Sequence, residues 1–546
     1  MRDPKIVLKH LSSLEEKESV NNIYKNLYNP EFYLLAYQKI YSKPSQMTSA
    51  SDGSTIDGMS MDRINKLIEK LRNNLYQPTP LRRVNIPKKN GKTRSISIPS
   101  FEDKLVQEII RMLLEAIYEH TFSEHSHGFR PKKSCYTTLK YIKNKFQGTK
   151  WWIKCDIRGC FDNMNHIILL NILKEHIREQ KFIHLINLFL KAGYTEDWNY
   201  HKTYSGIPQG SIISPILANI YLDKFDEFME NTIKEFTKGK SRERNRNYDK
   251  ISKRLWYTKQ RLKSGFDVIQ RYRELRQEWK EERNKNGCIN HRDPNFRRLS
   301  YVRYADDFLI GVIASKKEAE EIKIKIQEFL KNKLKVDLNE EKTKIVHNSE
   351  LVRFLGYDLS ILKSNSKPSI NGLVGLWLPY EVCKDFIIDN RFGKFVCDSK
   401  TGKPKLKAIH RPEMETLDEL EILMQYNSKI RGLYNYYKMA SNVYKLNNFN
   451  FILQTSFLRT LCAKYKTSRA KLYKNKNYNH QKNGAHIGVT YKDKFYEFFN
   501  GPFNVVDDKN IKYEKNIDII ENMAKYFSKN SLIKRLESQE CEWCHT

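Results

Sequence analysis

Two aspartates, Asp306 and Asp307, stand side by side in YVRYADDFLIG, between two apolar runs that read as strands. In a buried setting adjacent carboxylates raise each other's proton affinity, and the pair becomes tolerable when a cation sits against it. Successive side chains on a regular strand point to opposite faces. The two carboxylates converge only at a tight turn, and the break between YVRYA and FLIGVI is where one fits. A second pair, Asp507 and Asp508 in FNVVDDKN, is followed by Lys and Asn and reads as a solvated turn. Adjacency alone therefore decides nothing.

A metal reading requires more oxygen. Magnesium takes hard oxygen ligands, keeps several waters and needs only a few carboxylates beside a substrate triphosphate. Two such ions roughly 3.5 to 4 Å apart hold the attacking and leaving oxygens of an in-line phosphoryl displacement. One would lower the pKa of a primer 3′-hydroxyl, and the other would bind the triphosphate. Asp156 is the candidate third carboxylate: it ends the apolar run WWIKC, at a strand end where a site can open. Asp162 competes for the role, but Gly159 and Phe161 intervene and place it in the turn beyond.

These carboxylates must be positioned by strands, and the chain supplies further elements around them. Residues 1 to 60 mix short helical pieces with the polar, turn-rich SKPSQMTSASDGST. LRRVNIPKKNGKTRSISIP then reads as a basic strand pair with a hairpin signal at Asn90-Gly91. NGKT is no nucleotide-binding loop, because the glycine required five positions before Gly91 is Ile86. Leu105, Ile109, Leu113 and Ile117 recur at four-residue spacing and predict a long amphipathic helix. Residues 231 to 300 carry 21 Lys and Arg against 9 Asp and Glu, a net of +12, and read as surface helices facing RNA. From about 415 the pattern is helical: Leu417, Leu420, Met424, Ile430, Tyr434 and Tyr437 form a stripe with a break at Asn427. The basic LRTLCAKYKTSRAKLYKNKNYNHQKNG that follows suggests a helical RNA-binding module.

Composition agrees with a nucleic-acid partner. The 546 residues exceed the size of one core, so three or more domains are expected. The balance of 97 Lys and Arg against 64 Asp and Glu gives +33, a charge that self-repels unless a polyanion is the usual partner. Thirty-two Tyr and 27 Phe offer faces for base stacking. No stretch approaches 18 apolar residues, so no membrane span is expected, and the charged MRDPKIVLKHLSSLEEKE is unlike a secretory signal. The nine cysteines are scattered and read as buried thiols of a reducing compartment. Cys541 and Cys544 in CEWCHT have metal-ligand spacing but half a ligand set.

Five ordered blocks now stand together: SHGFRPKKS, KCDIRGCFDNMNH, SGIPQGSIISPILANIYL, YADD and FLGYDL. Their order and spacing resemble the reverse transcriptase blocks of group II intron-encoded proteins, and RGLYNYYKMASN resembles the family's maturase region, domain X. The resemblance implies an α+β right-hand polymerase, with fingers and a palm built on an antiparallel sheet, followed by an α-helical thumb. The expected divisions are an N-terminal extension (1–60), fingers and palm (61–365), thumb and domain X (366–475), a basic DNA-binding region (476–540) and a remnant of a zinc-binding endonuclease domain (541–546). No endonuclease activity and no structural zinc are expected.

The resemblance also assigns roles. The metal-binding set in the family's pattern is Asp156, Ile157, Asp306 and Asp307, holding two magnesium ions. Phe161 matches the bulky side chain under the incoming sugar, where a ring leaves no room for a 2′-hydroxyl. Gln209 matches the position that touches the nucleotide from the palm, in a loop shaped by Pro208 and Gly210. Arg82, Lys88 and Arg94, six residues apart, match the positions that grip the dNTP triphosphate. RNA contacts are expected at Arg130, Lys132, Lys133, Arg431 and Lys438. The implied function is an RNA-dependent DNA polymerase that binds its own group II intron RNA, assists its splicing and copies it at a cleaved target DNA. The alternatives are a splicing cofactor without polymerase chemistry and a retron or retrotransposon enzyme. A monomer and a dimer in the ribonucleoprotein both stay open. The bias towards Lys, Asn, Ile and Tyr fits a bacterial cytoplasm or an organelle matrix.

Overall fold

The structure is a computed structural model that describes residues 2–506 except 15–18, 42–46, 89–90, 92, 264–268, 287–292, 294, 365, 398–401, 403, 476 and 481–485. Asp507, Asp508, Cys541 and Cys544 lie outside the described residues. The chain forms two compact units, one of residues 1–139 and 149–347, the other of 140–148 and the described residues from 348 onward.

Among its described residues the first unit has eight strands: β1 (Leu81–Pro87), β2 (Thr93–Ile98), β3 (Trp151–Asp156), β4 (Tyr194–Glu196), β5 (Asn199–His201), β6 (Arg298–Tyr304), β7 (Asp307–Ile313) and β8 (Lys344–His347). They make two four-stranded sheets, ordered β2-β1-β4-β5 and β6-β7-β3-β8. Every pair in the second sheet is antiparallel. Its inner strands β3 and β7 are buried almost throughout, which is why WWIKC and FLIGVI read as apolar runs without alternation. The helix Ser214–Phe236 packs on β6 and the helix Lys316–Lys333 on β3. Phe225 meets Phe308 at 4.9 Å between ring centroids, and Phe228 stacks on Phe329 at 4.2 Å. Full burial of each such ring contributes about 1.5–3 kcal/mol. Ser315 and Glu318 form a capping box at the second helix's start.

The expected basic hairpin is β1 paired with β2, from Arg82 opposite Ile98 to Pro87 opposite Thr93. Gly91 closes the turn at φ +75, while Asn90 lies outside the described residues. The helix read from four-residue spacing spans Phe101–Tyr118, with Leu105, Ile109, Leu113 and Ile117 all buried. Two helices, Arg246–Lys263 and Ile269–Asn286, occupy most of the basic stretch and pack on each other.

In the second unit β9 (Val352–Phe354), β10 (Tyr357–Ile361) and β11 (Val374–Trp377) form one sheet, and β12 (Gly393–Cys397) pairs with β13 (Pro404–Ala408). Here the structure corrects two expectations. The helix Glu419–Tyr437 runs through Asn427 without a break, and its buried face is Ile422, Leu423, Tyr426, Asn427, Ile430, Leu433 and Tyr437, whereas Met424 is 43% exposed. A polar residue in an apolar stripe reads as a break when its partners are distant in sequence. Asn427 donates to the Glu497 carbonyl at 2.9 Å and accepts from the Phe499 amide at 2.7 Å. The second correction concerns the tail of that region. Helix continues through Leu446–Lys464 and Arg469–Lys474, but then gives way to β14 (Asn479–His480), β15 (His486–Tyr491) and β16 (Lys494–Glu497). The strands follow a basic, Asn-rich run that carries no apolar period.

Candidate active site

The two aspartates fall at the turn between β6 and β7. Tyr304 pairs with Asp307, leaving Ala305 and Asp306 as a two-residue loop. Ala305 has φ +56 and Asp306 is not left-handed, the pattern of a II′ hairpin turn, whose first loop residue is ordinarily glycine. An alanine there strains the backbone. The turn sets Asp306 in the loop and Asp307 at the first rung of β7.

Asp156 is the direct cross-strand partner of Asp307, on β3. It is 9% exposed, and its Oδ2 accepts from the Asn339 amide at 3.1 Å and from the Lys342 ammonium at 2.8 Å. Bonding to Asp156 raises the proton affinity of Lys342. Burial, with a contribution from Asp156, pushes the Asp306 carboxyl above its usual range, opposed by Lys342 and Arg94. Burial and then the charges of Asp306 and Asp156 push Asp307 up to about 7, and it shares a hydrogen bond with Asp156. Asp162 instead lies exposed in the short helix Cys160–Asn163, beyond the strand end.

Among the described residues, no three or more His, Cys, Asp or Glu side chains are gathered closely enough to hold a metal ion by themselves. The carboxylates are neighbours, and Lys342 supplies a positive charge at Asp156. The donor chemistry nonetheless fits magnesium: hard oxygens set close together, whose repulsion a cation would relieve. Ile157, buried and bridged to Leu338, has only its carbonyl oxygen to offer.

The loop Gly206–Gly210 links this site to the basic hairpin. Ile207 donates to the Phe161 carbonyl at 2.6 Å, and the Gly206 amide to Met164 at 2.8 Å. A Cβ on Gly206 would meet the Asp162 carbonyl oxygen at 2.5 Å, so only glycine permits this approach. Phe161 is half-buried and meets Phe129 edge-on, centroids 6.4 Å apart. The Gln209 carbonyl accepts from the Ser97 amide at 2.6 Å, and its side chain accepts from Arg94 Nε at 3.1 Å. Gly210 has φ +109, and a Cβ there would collide with the Ser97 carbonyl oxygen.

The hairpin register puts Arg82, Val84 and Ile86 on one face of the sheet, with Arg94 opposite Ile86 on that same face. Lys88 is exposed just past β1, where the turn begins. The structure thus brings Arg94 to Gln209 and within electrostatic reach of Asp306, whereas Arg82 is held by a bond to the Ser49 carbonyl at 3.1 Å.

Of the expected RNA contacts, Arg130 requires correction. Its side chain is 6% exposed, and its guanidinium is bound to Glu119 and to the carbonyls of Ser123 and Ser126. An arginine in a basic cluster, with KK following it, reads as surface charge in sequence, but its bonds are internal. Lys132 is exposed at φ +61, and Lys133 is half-buried with its proton affinity lowered by burial and Arg130. Arg431 is exposed over the Phe499 ring, and Lys438 is half-buried.

Sequence reasoning missed Asn339 and Lys342, although NEEKT follows the block by a readable loop. It also missed Arg303, Asp226 and Asn219, buried polar groups around the turn; an arginine interrupting the apolar strand LSYVRYA was the available signal.

Residues 86–359 match the family "Reverse transcriptase (RNA-dependent DNA polymerase)" and residues 389–536 match "Type II intron maturase". Over 565 aligned residues the chain is 36% identical to "Group II intron-encoded protein LtrA" of Lactococcus lactis subsp. cremoris, covering 100% of this chain and 92% of that protein. This chain belongs to the group II intron-encoded proteins. It is also 35% identical to the "Putative COX1/OXI3 intron 1 protein" of Saccharomyces cerevisiae, over 86% of this chain and 56% of that one. As a group II intron-encoded protein it has the right-hand reverse transcriptase fold joined to a maturase region, and its activity is RNA-directed DNA polymerisation. Reverse transcriptases generally use divalent metal ions. No helix among the described residues is long and apolar enough to cross a membrane.

Proposed function

We propose that this protein copies its own group II intron RNA into DNA at a cleaved target, using Asp156, Asp306 and Asp307 as the carboxylates that hold two magnesium ions, and that it assists splicing of the same RNA. The observation that carries the reading is the register: Asp156 sits opposite Asp307, with Asp306 in the adjoining two-residue turn. Bound magnesium would lower the proton affinity of a primer 3′-hydroxyl and neutralise the triphosphate.

The chain's own groups do the rest. Arg94, anchored by Gln209, places a permanent positive charge near Asp306 where a triphosphate would lie, Arg82 shares its face of the hairpin, and the exposed Lys88 adds charge just beyond the strand. Phe161 fills the space under the sugar, held by the Ile207 bond to its carbonyl. Domains follow from the same reading: fingers and palm to about 365, thumb and maturase region to about 475, then a basic DNA-binding region. The exposed Lys132 and Arg431 are the candidates for intron RNA contact. Partners are the intron RNA, target DNA and dNTPs.

Primer extension on an RNA template with magnesium and dNTPs tests this directly. Asp306→Asn is expected to abolish extension while intron splicing survives, since the RNA supplies the splicing chemistry. Full extension by the variant would overturn the carboxylate assignment, and loss of splicing would make the pair structural.

A further inference from the structure

Arg303, two residues before the loop, is completely buried, as is Asp226 of the helix Ser214–Phe236. All five N–H groups of its guanidinium are engaged. Nε and Nη2 grip Asp226 at 2.9 and 2.5 Å, and Nη2 also donates to Ser126 Oγ at 2.8 Å. Nη1 donates to Asn219 Oδ1 at 3.1 Å and to the Ala305 carbonyl oxygen at 3.0 Å. Tyr301 completes the shell of Asp226 with a hydroxyl bond of 2.6 Å.

The Ala305 carbonyl belongs to the peptide that joins Ala305 to Asp306. Anchoring it fixes two dihedrals at once, ψ of Ala305 and φ of Asp306. The other side of the same residue is closed by Gly128, where a Cβ would collide with the Ala305 amide nitrogen. Gly128 is itself tethered by Asn219, which donates to its carbonyl at 2.8 Å. Residues 125–127 add a rung beside β6, His127 donating to the Arg303 carbonyl at 2.9 Å and Arg303 to that of His125 at 2.8 Å. A strained alanine turn is thus clamped from both sides.

Stability does not account for this arrangement. A buried ion pair is usually no better for stability than apolar residues of the same volume, because desolvating both charges offsets their attraction. An arginine fork, by contrast, fixes several acceptors in one plane. We propose that Arg303 is a positioning residue for the polymerase site: through the Ala305 carbonyl, with Asp226, Asn219 and Gly128 behind it, it aims the Asp306 and Asp307 carboxylates at the metal. The inference rests on the reading of those carboxylates as metal-binding.

The test replaces the charges without leaving one stranded. Arg303→Met, Asp226→Leu and Tyr301→Phe are combined in the full-length protein, and Gly128→Ala is made separately, leaving the ion pair whole. Both are measured for thermal stability, intron RNA binding, and rate of primer extension against magnesium concentration. Each is expected to keep its fold and RNA affinity, to lose roughly 100-fold in turnover, as misplacement of about 1 Å does, and to require several-fold more magnesium for half its maximal rate. Arg303→Lys, which retains the charge but not the fork, is expected to show the same raised magnesium requirement. A folded triple variant or Gly128→Ala with wild-type turnover and magnesium dependence overturns the proposal. So does loss of fold in both, which would make the network a folding element. If Asp306→Asn is active, the carboxylate reading fails instead; if it is dead while the Arg303 variants are normal, only the positioning role fails.

Discussion

At the scale of single residues, the site is a place where function opposes stability. Asp307 holds its proton up to about 7 in the folded chain against 3.8 ordinarily, through burial and its two carboxylate neighbours. The folded state therefore binds the proton more tightly than the unfolded one. Stability suffers no penalty below the ordinary carboxylate range, declines as pH rises, and carries the full penalty above about 7. Asp307→Asn removes the charge, and at pH 8 without divalent metal it is expected to raise the melting temperature by about 2–4 °C, for on the order of 1 kcal/mol after solvent screening. Below pH 4 the difference should vanish, and the same variant should not polymerise. A melting series across pH checks the sign: an unchanged melting temperature at pH 8 would mean that the pair is already neutralised. Phe161→Ala is expected to admit ribonucleotides in primer extension if, as proposed, the ring fills the space under the sugar. Unchanged sugar selectivity would remove that role. The carboxylates stood out in the sequence because three apolar runs, WWIKC, YVRYA and FLIGVI, flank them. Arg303 and Lys342 were not, because what they do depends on partners 77 and 186 residues away.

At the scale of elements, period was legible and phase was not. Four-residue spacing placed the helix Phe101–Tyr118 because the stripe Leu105, Ile109, Leu113 and Ile117 is aliphatic, whereas the burial of Asp103, Lys104, Gln107 and Glu108 in the same helix left no period to read. In the helix Glu419–Tyr437 the buried face runs through Ile422, Leu423, Tyr426 and Asn427, so a stripe phased on Leu420 and Met424 puts Met424 inside and a break where the helix is anchored. Asn427 holds the chain after β16 by two bonds to backbone groups. Asn427→Ala removes both bonds from the part-buried attachment of Glu497 and Phe499, at about 0.5–1.5 kcal/mol each. The loss should be local: amide exchange from Ile487 to Phe499 is expected to accelerate while β3 and β7 keep their protection. Uniform acceleration across the chain would mean that Asn427 supports the global fold rather than one attachment.

At the scale of the whole molecule, a charge of +33 is an argument about partners, and it makes a quantitative prediction. If binding neutralises about 6 to 10 phosphates, intron RNA affinity should fall by about 10³ to 10⁵ between 50 and 200 mM salt. The basic stretch between Phe236 and β6 is the natural contributor. Its helix Arg246–Lys263 exposes Lys250, Lys253, Arg254 and Lys259, and beside them Trp256 and Tyr257, 56% and 62% exposed with centroids 5.1 Å apart. Basic side chains around exposed rings suit a backbone-and-base surface, whereas a merely solvated face would have no use for the rings. Changing those four basic residues to glutamine separates the readings. Each phosphate that the variant no longer neutralises should flatten the slope of log affinity against log salt by about 0.7 to 0.9, so an RNA-facing helix predicts a slope shallower by up to about 3.6. A solvated face predicts the wild-type slope with only a small uniform shift. Binding isotherms of the variant at four salt concentrations distinguish the two, and polymerisation on a short unstructured template should stay at the wild-type rate in both, because the substitutions lie away from Asp156, Asp306 and Asp307 in the sequence.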